Sequence, residues 1–393
     1  MKNNDIIHEI DVERLYQHVL AIEGVRHPID DQEMLDATAD YIKYELDDYG
    51  LKTKEHVFQV EGYEGSFRNI EGYLGDDSGP ELLVTSHYDT VSISPGANDN
   101  ASGVAGMLEI ARVIAESGYK KNIRFISFTL EENHPRRELE IRELMVKSGL
   151  VDDELRFLSY QTLKWLNVID CYREEALQKG KTTKESWLYA EKLVSENLTK
   201  KEKKYITSLV EHYSDISRTN WIGKSICVGS TNWVNDNLDR KRGILGVLNL
   251  EEIGYKTEKI FSQTYPSGIN PFEHQSYKVN IDERIGDFVG IFSDKNSANL
   301  AQVFCNQCRD VIDLPYHKLA VKYNFNEIAL KVIDLLRSDH APFWRENIPA
   351  ISITDTFEFR YPFYHTSADS VDMLDFDFMK KICQATLLTI TSL

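Results

Sequence analysis

The chain has no apolar run long enough to cross a bilayer as a helix, which takes about 20 residues. Its N-terminus, MKNNDIIHEIDVERL, lacks the apolar core of a secretory signal. Cysteine is scarce and odd in number: five in 393 residues, at positions 171, 227, 305, 308 and 383. That argues against a disulfide framework. Together these features predict a cytoplasmic protein that makes no use of a membrane. The pair Cys305-x-x-Cys308 has no second pair and falls in a helical pattern, so it reads as two helix thiols. Positive charge is also in short supply, with 45 Lys and Arg against 63 Asp and Glu and a net charge of −18. Nucleic acid and anionic membranes are poor partners for such a surface. The basic cluster Lys200, Lys201, Lys203 and Lys204 sits among glutamates and reads as a solvated helix face.

What is present is an ordinary globular composition, 42% hydrophobic and 27% charged. The length leaves room for one large domain with an insertion, or for two domains. Residues 11–49 hold two amphipathic patterns closed by Gly50, read as two helices. Residues 54–60 alternate like a strand, 70–74 form a second short one, and 81–86 are continuously apolar. A helix over 103–118 and a strand over 122–130 follow, the order of a βαβ unit with a parallel sheet. From about 133 to 226 the sequence turns Lys/Glu-rich and helical. Thr182-x-x-Glu185 and Thr199-x-x-Glu202 match the capping box there, in which hydroxyl and carboxylate satisfy each other's orphan amides. The α/β pattern returns with a strand at 243–250, helices at 296–314 and 326–336, a strand at 350–354 and a helix from 371 to the end.

The chemistry gathers at the predicted strand ends. The strand 81–86 runs into His87-Tyr88-Asp89 and then a Gly/Asn/Asp/Ser loop carrying Asp99. Glu131-Glu132 and Glu251 also directly follow strands. In open α/β sheets functional groups collect beyond the carboxyl ends of the strands. Adjacent side chains on extended backbone point opposite ways, so one of Glu131 and Glu132 can bind metal while its neighbour acts as a base. With His365, these residues make a set suited to two divalent metals.

The segments NIEGYLG (69–75), SHYD (86–89), GANDNASG (96–103), Glu131-Glu132, Gly229-Ser230, NLEEIG (249–254), Ser338-Asp339-His340 and Tyr364-His365-Thr366 with Asp369 resemble the zinc exopeptidases of peptidase family M28. The resemblance implies a three-layer α/β/α sandwich with a mostly parallel mixed sheet. The catalytic domain would comprise 1–133 and 227–393, and 134–226 would be an all-helical insertion serving as a lid or an oligomerisation arm. It implies one metal held by His87, Asp99 and Glu251 and a second held by Asp99, Glu132 and His365, with Asp99 bridging. Glu131 would be the general base, and Asp89 would orient His87 as outer-shell carboxylates do. Imidazole and carboxylate ligands without thiolate suit Zn, with Mn or Co as substitutes.

Two features depart from the family pattern. The aspartate usual in the NLDM(I/V)G-like segment is Glu251 here, one methylene longer, with Glu252 as a competing candidate. The helical insertion follows the Glu131-Glu132 pair where a short loop is usual. Asp339, His340, Arg360 and Tyr361 are candidate substrate contacts that a packing role explains equally well. His134 is placed only near the site, and Cys227 is read as a core thiol. The expected function is a metal-dependent aminopeptidase acting on short peptides, as a monomer or homo-oligomer. The alternatives are a glutaminyl-cyclase-like acyltransferase with one zinc, a carboxypeptidase, and a non-enzymatic binding protein.

Overall fold

A computed structural model describes residues 6–75 and 79–393. The chain opens with helices α1 (Val12–Ile22) and α2 (Gln32–Asp48), then strands β1 (Lys52–Phe58), β2 (Phe67–Leu74) and β3 (Glu81–His87). Helix α3 (Gly103–Glu116) and strand β4 (Asn122–Phe128) follow. Four helices come next: α4 (Pro135–Ser148), α5 (Tyr160–Gln178), α6 (Thr183–Val194) and α7 (Lys200–His212). The α/β pattern resumes with α8 (Val228–Asp236), β5 (Ile244–Glu251), β6 (Gln275–Tyr277), β7 (Val289–Ser293), α9 (Ala298–Gln307) and β8 (Tyr316–Ala320). It ends with α10 (Phe325–Lys331), α11 (His340–Arg345), β9 (Ala350–Thr354) and α12 (Phe376–Ser392).

Among the described residues the nine strands form one sheet in the order β1-β2-β4-β3-β5-β9-β7-β8-β6. The central strands β4, β3, β5 and β9 are parallel, and antiparallel pairs lie toward both edges. Successive strand residues feed opposite cores, as the period of two requires. Leu82 and Val84 join the cluster under α1, α2, α3, α9 and α12, whereas Leu83 faces α8, α10 and α11 with Trp233, Ile328 and Phe343. The result is the three-layer sandwich. The register sets His87 beside Phe128 and Thr85 beside Asn249, so β3, β4 and β5 deliver their last residues to one edge.

Strands β6, β7 and β8, three to five residues long, are not among the strands expected from the sequence. The last helix begins at Phe376, capped by Asp375, rather than at 371. Both expected capping boxes form, Thr182 with Glu185 and Thr199 with Glu202. Among the described residues no helix is long and apolar enough to cross a membrane.

Helices α4–α7 bury a cluster of their own around Ile169, Trp187, Ala190, Ile206 and Leu209. The excursion leaves and returns at one point: the N–H of Cys227 donates to the carbonyl of Glu131 at 2.7 Å and that of Val228 to Leu130 at 2.8 Å. Two side-chain contacts tie α4 to the loop after α1. His27 Nε2 lies 3.0 Å from Glu138 Oε2, and Arg142 holds both oxygens of Asp30 at 2.6 Å.

Trp187 packs against Tyr213 and under the Arg173 guanidinium at 3.7 Å. Trp187→Ala should cost the insertion about 3–5 kcal/mol, the usual loss for a buried aromatic. Hydrogen exchange should show lost protection in α5–α7 and unchanged protection in β3–β5. Equal loss in both would show that insertion and sandwich open as one unit.

Candidate metal centre

The loop from β3 to α3 is built residue by residue to present Asp99. Gly96 turns it with a φ of +62°, where an added Cβ would lie 2.4 Å from the Asp99 carbonyl oxygen. The amides of Asn98 and Asp99 donate to the Asp369 carboxylate at 2.8 and 3.2 Å. Asn98 donates its side-chain amide to Glu252 and Asp355 at 3.0 and 2.9 Å. Asn100 reaches the end of β5, donating to the Leu250 carbonyl at 3.0 Å and accepting from Glu252 N–H at 3.0 Å. The Asp99–Asn100 peptide bond is cis. Gly103 leaves room for this latch, since a Cβ there would sit 2.3 Å from Asn100 Oδ1.

Two groups of ligand-type side chains meet at Asp99. His87 Nε2 lies 3.0 Å from Glu251 Oε1 and 3.4 Å from Asp99 Oδ1. His365 Nε2 lies 3.1 Å from both Asp99 Oδ2 and Glu132 Oε2. Each oxygen of Asp99 thus faces a different imidazole. Glu131 Oε2 stands 4.0 Å from His87 Nε2, and Glu131 Oε1 accepts from the Cys227 thiol at 3.4 Å. Asp89 accepts from the N–H groups of Glu131 and Glu132 at 3.0 and 3.1 Å. Its Oδ1 is 3.5 Å from His87 Nδ1, an ion-pair distance rather than a hydrogen bond. The second oxygen of Glu251 accepts from Ser338 Oγ at 2.5 Å, and Ser338 in turn accepts from Asn249 at 2.7 Å. His365 stacks on Tyr364 with ring centroids 3.7 Å apart.

Burial dominates the electrostatics. It pushes Glu131 well above the usual carboxylate range, aided by Glu132 and Glu251 and opposed by His87. Burial and Asp99 raise Glu132 to about 7. Burial would lower the two imidazoles. Glu251 with Asp89 and Asp99 outweighs it at His87, and Glu132 with Asp99 outweighs it at His365, which rises to about 11.

These groups fit divalent cations. His87, Asp99 and Glu251 form one triad and Asp99, Glu132 and His365 another, with ligand atoms within 4.8 Å of one another. His365 Nε2 makes no hydrogen bond although two carboxylate oxygens lie 3.1 Å away. In this second triad the donor atoms converge on a shared point instead of pairing, as ligands to a cation do, whereas in the first His87 Nε2 hydrogen-bonds Glu251 Oε1 at 3.0 Å. The set of imidazole and carboxylate without thiolate suits Zn, Mn or Co. A further group, His27, Asp30 and Glu138, already has its charge answered by the Arg142 guanidinium.

The structure separates the sequence candidates. Glu251 enters the cluster, while Glu252 points away onto Asn98. Asp339 is buried beside the centre, its carboxyl raised to about 8 chiefly by burial. His340 packs on Trp344 and hydrogen-bonds the Leu335 carbonyl at 2.8 Å, outside the cluster. Arg360 is buried on Gln263 and the Phe288 carbonyl. Tyr361 donates to Asp369 at 2.7 Å. Both Arg360 and Tyr361 therefore shape the wall behind the site. His134 caps α4. Sequence reasoning overlooked Arg26, Asn98, Asn100 and Asn249. Asn98 and Asn100 lie in the GANDNASG segment, but nothing local marks them as latches. Arg26 has no signal of its own.

Residues 69–152 and 293–390 match the model of peptidase family M28. The chain is 32% identical over 130 residues to the uncharacterized protein YfbL of Escherichia coli, covering 30% of this chain and 40% of that protein. It is 59% identical over 54 residues to aminopeptidase YwaD of Bacillus subtilis, 14% of this chain and 12% of the relative. The chain spans well under two thirds of these curated relatives. In fold it resembles the LapA aminopeptidase of Legionella pneumophila, with a TM-score of 0.58 at 16% identity over 99% of this chain and 73% of that one. It also resembles a glutaminyl cyclase of Porphyromonas gingivalis, with a TM-score of 0.53 at 15% identity over 98% of each chain.

Protons on His87, His365 and Glu132 must leave before these groups can bind a cation. Metal affinity should therefore rise with pH on both sides of neutrality, about tenfold per pH unit for each proton released. Calorimetry in buffers of different ionisation enthalpy should register that release. Equal affinity at slightly acidic and slightly alkaline pH would contradict it.

Proposed function

This chain belongs to peptidase family M28, and on that premise we propose that it is a metal-dependent exopeptidase, an aminopeptidase acting on short peptides. The observation that carries the reading is the placement of Asp99 between two imidazoles, with the Glu131 carboxyl alongside. In the proposal His87, Asp99 and Glu251 hold one ion and Asp99, Glu132 and His365 the other, zinc first and Mn or Co as substitutes. When bound, a pair of divalent ions polarises a scissile carbonyl and lowers the pKa of a water to near 7.

The chain's own groups supply the rest. Glu131 takes a proton from the attacking water onto its carboxylate and returns it to the leaving amine, as a general base does. Asp89 fixes the backbone of Glu131 and Glu132, which holds the base and the neighbouring ligand at a set spacing. Ser338 holds the far oxygen of Glu251, leaving the near one toward His87. A wall this rich in carboxylates suits the free α-amino group of a peptide. The insertion, whose α4 starts three residues beyond Glu132, is read as a lid that narrows entry to small substrates. Five free thiols support a cytoplasmic setting.

The rival reading is cyclisation of N-terminal glutaminyl peptides, motivated by the shared fold. It calls for one zinc, whereas two triads sharing Asp99 favour two ions. Glu131→Gln should keep two ions per chain by elemental analysis and lose about 10²–10⁴-fold in kcat on amino-acid p-nitroanilides. Glu132→Gln should lower metal occupancy instead. One ion per chain, with cyclisation and no hydrolysis, would replace this reading with the cyclase. Wild-type enzyme should cleave short peptides and leave folded casein-sized proteins intact. Replacing 134–226 with a short Gly/Ser loop should weaken that selection.

A further inference from the structure

The Arg26 guanidinium is completely buried and lies outside the residues that match the family model. Every hydrogen bond it makes is to a backbone carbonyl. Nε donates to Tyr88 at 2.6 Å, and Nη2 donates to Gly96 at 2.9 Å. Nη1 donates to Ile22 at 2.7 Å and to Gly24 and Pro95 at 2.9 Å. The backbone reinforces the grip. The N–H of Arg26 donates to Thr90 Oγ1 at 2.9 Å, that of Thr90 to the Arg26 carbonyl at 3.1 Å, and that of Gly24 to the Pro95 carbonyl at 2.9 Å. Tyr88 sits between His87 and Asp89 in the chain, and Gly96 stands three residues before Asp99. One side chain therefore fastens both ends of the segment that carries these groups.

A buried cation normally requires a partner in contact. Among the described contacts Arg26 has no such carboxylate. Burial lowers its pKa to about 10, and the negative charges of Asp369, Asp99, Asp89 and Glu132, the carboxylates of the centre and of the loop's anchor, oppose that fall. The arrangement resembles a fixed counter-ion placed behind the site. A lysine could supply the charge. It could not supply the planar fork of five donors that spans Tyr88, Pro95 and Gly96 at once.

We propose that Arg26 is a positioning residue for the metal centre, clamping the Tyr88 and Pro95–Gly96 carbonyls so that His87 and Asp99, on either side of these carbonyls in the chain, are held in ligating geometry before ions arrive. The proposal rests on the reading of His87, Asp99, Glu132, Glu251 and His365 as metal ligands. Arg26 touches no reacting atom. Its removal should act on metal affinity and leave the chemical step intact once ions are bound.

The test compares full-length wild type, Arg26→Lys and Arg26→Met, with Trp187→Ala as a variant destabilised far from the centre. Zinc dissociation constants come from competition with a chelating dye, unfolding temperatures from metal-free and zinc-loaded protein, and kcat from saturating zinc. Arg26→Lys should weaken zinc about 10–100-fold, the range for outer-shell changes, and regain kcat to within about threefold at saturation. Arg26→Met should weaken zinc at least as much. Should Arg26→Met fail to fold, Arg26→Lys decides. Trp187→Ala should lower the unfolding temperature with zinc affinity unchanged. Unchanged zinc affinity in the folded Arg26 variants, whatever their stability, would overturn the proposal and leave the ligand assignment standing. Wild type that binds no zinc would instead remove the ligand assignment, and the proposal with it.

Discussion

The structure depends on confining Asp99, Glu131, Glu132 and Glu251 with His87 at one buried point. Like charges withdrawn from water repel strongly, and each carries a desolvation cost. The fold offsets this in layers. Parallel strands bring the groups to one sheet edge. Asp89 and Asp369 are satisfied by backbone N–H groups. His87 and His365 stand among the carboxylates, and Arg26 lies behind them. In the proposed reading, the negative charge still left over is what divalent cations would answer.

The ligand-type residues were legible because each stands at the end of an apolar strand or in a loop of unusual composition. His87 and Glu251 are the last residues of β3 and β5, and hydropathy alone marks those ends. The choice between Glu251 and Glu252 was not legible. It is set by the backbone, since Glu251 still belongs to β5 while Glu252 turns to a φ of +46° and gives its carboxylate to Asn98. For Arg360 and Tyr361 the sequence leaves substrate contact and packing equally open, and folding turns them inward to brace Gln263 and Asp369. Arg26 stayed hidden because its partners are backbone carbonyls, and those of Tyr88, Pro95 and Gly96 come from a segment more than sixty residues away. Backbone acceptors are present in every residue and leave no trace in composition.

The fold legible in the sequence was the part with long elements. The apolar strands 81–86 and 122–130, and the capping boxes of α6 and α7, each carry a local physical signature. β6 to β8, three to five residues long, do not. Their place in the sheet is decided by pairing with β9 and with one another.

The insertion shows how a site so tightly built accommodates some ninety extra residues beside a ligand. The chain departs after Glu132 and returns at Cys227, whose N–H bonds to the Glu131 carbonyl. For the sandwich the excursion is therefore equivalent to a short loop. Closing a long flexible loop costs only slightly more than closing a short one, and α4–α7 offset that cost with a core of their own. The junction also has a chemical consequence. Backbone bonds from 227 and 228 to 131 and 130 pin the far side of the Glu131–Glu132 pair, just as Asp89 pins the near side. Glu131 and Glu132 are thus held by the closure of the insertion as well as by the strand that precedes them. The contacts of α4 with His27 and Asp30, and of Arg136 with the Glu61 carbonyl, fasten the insertion to the sandwich at further points.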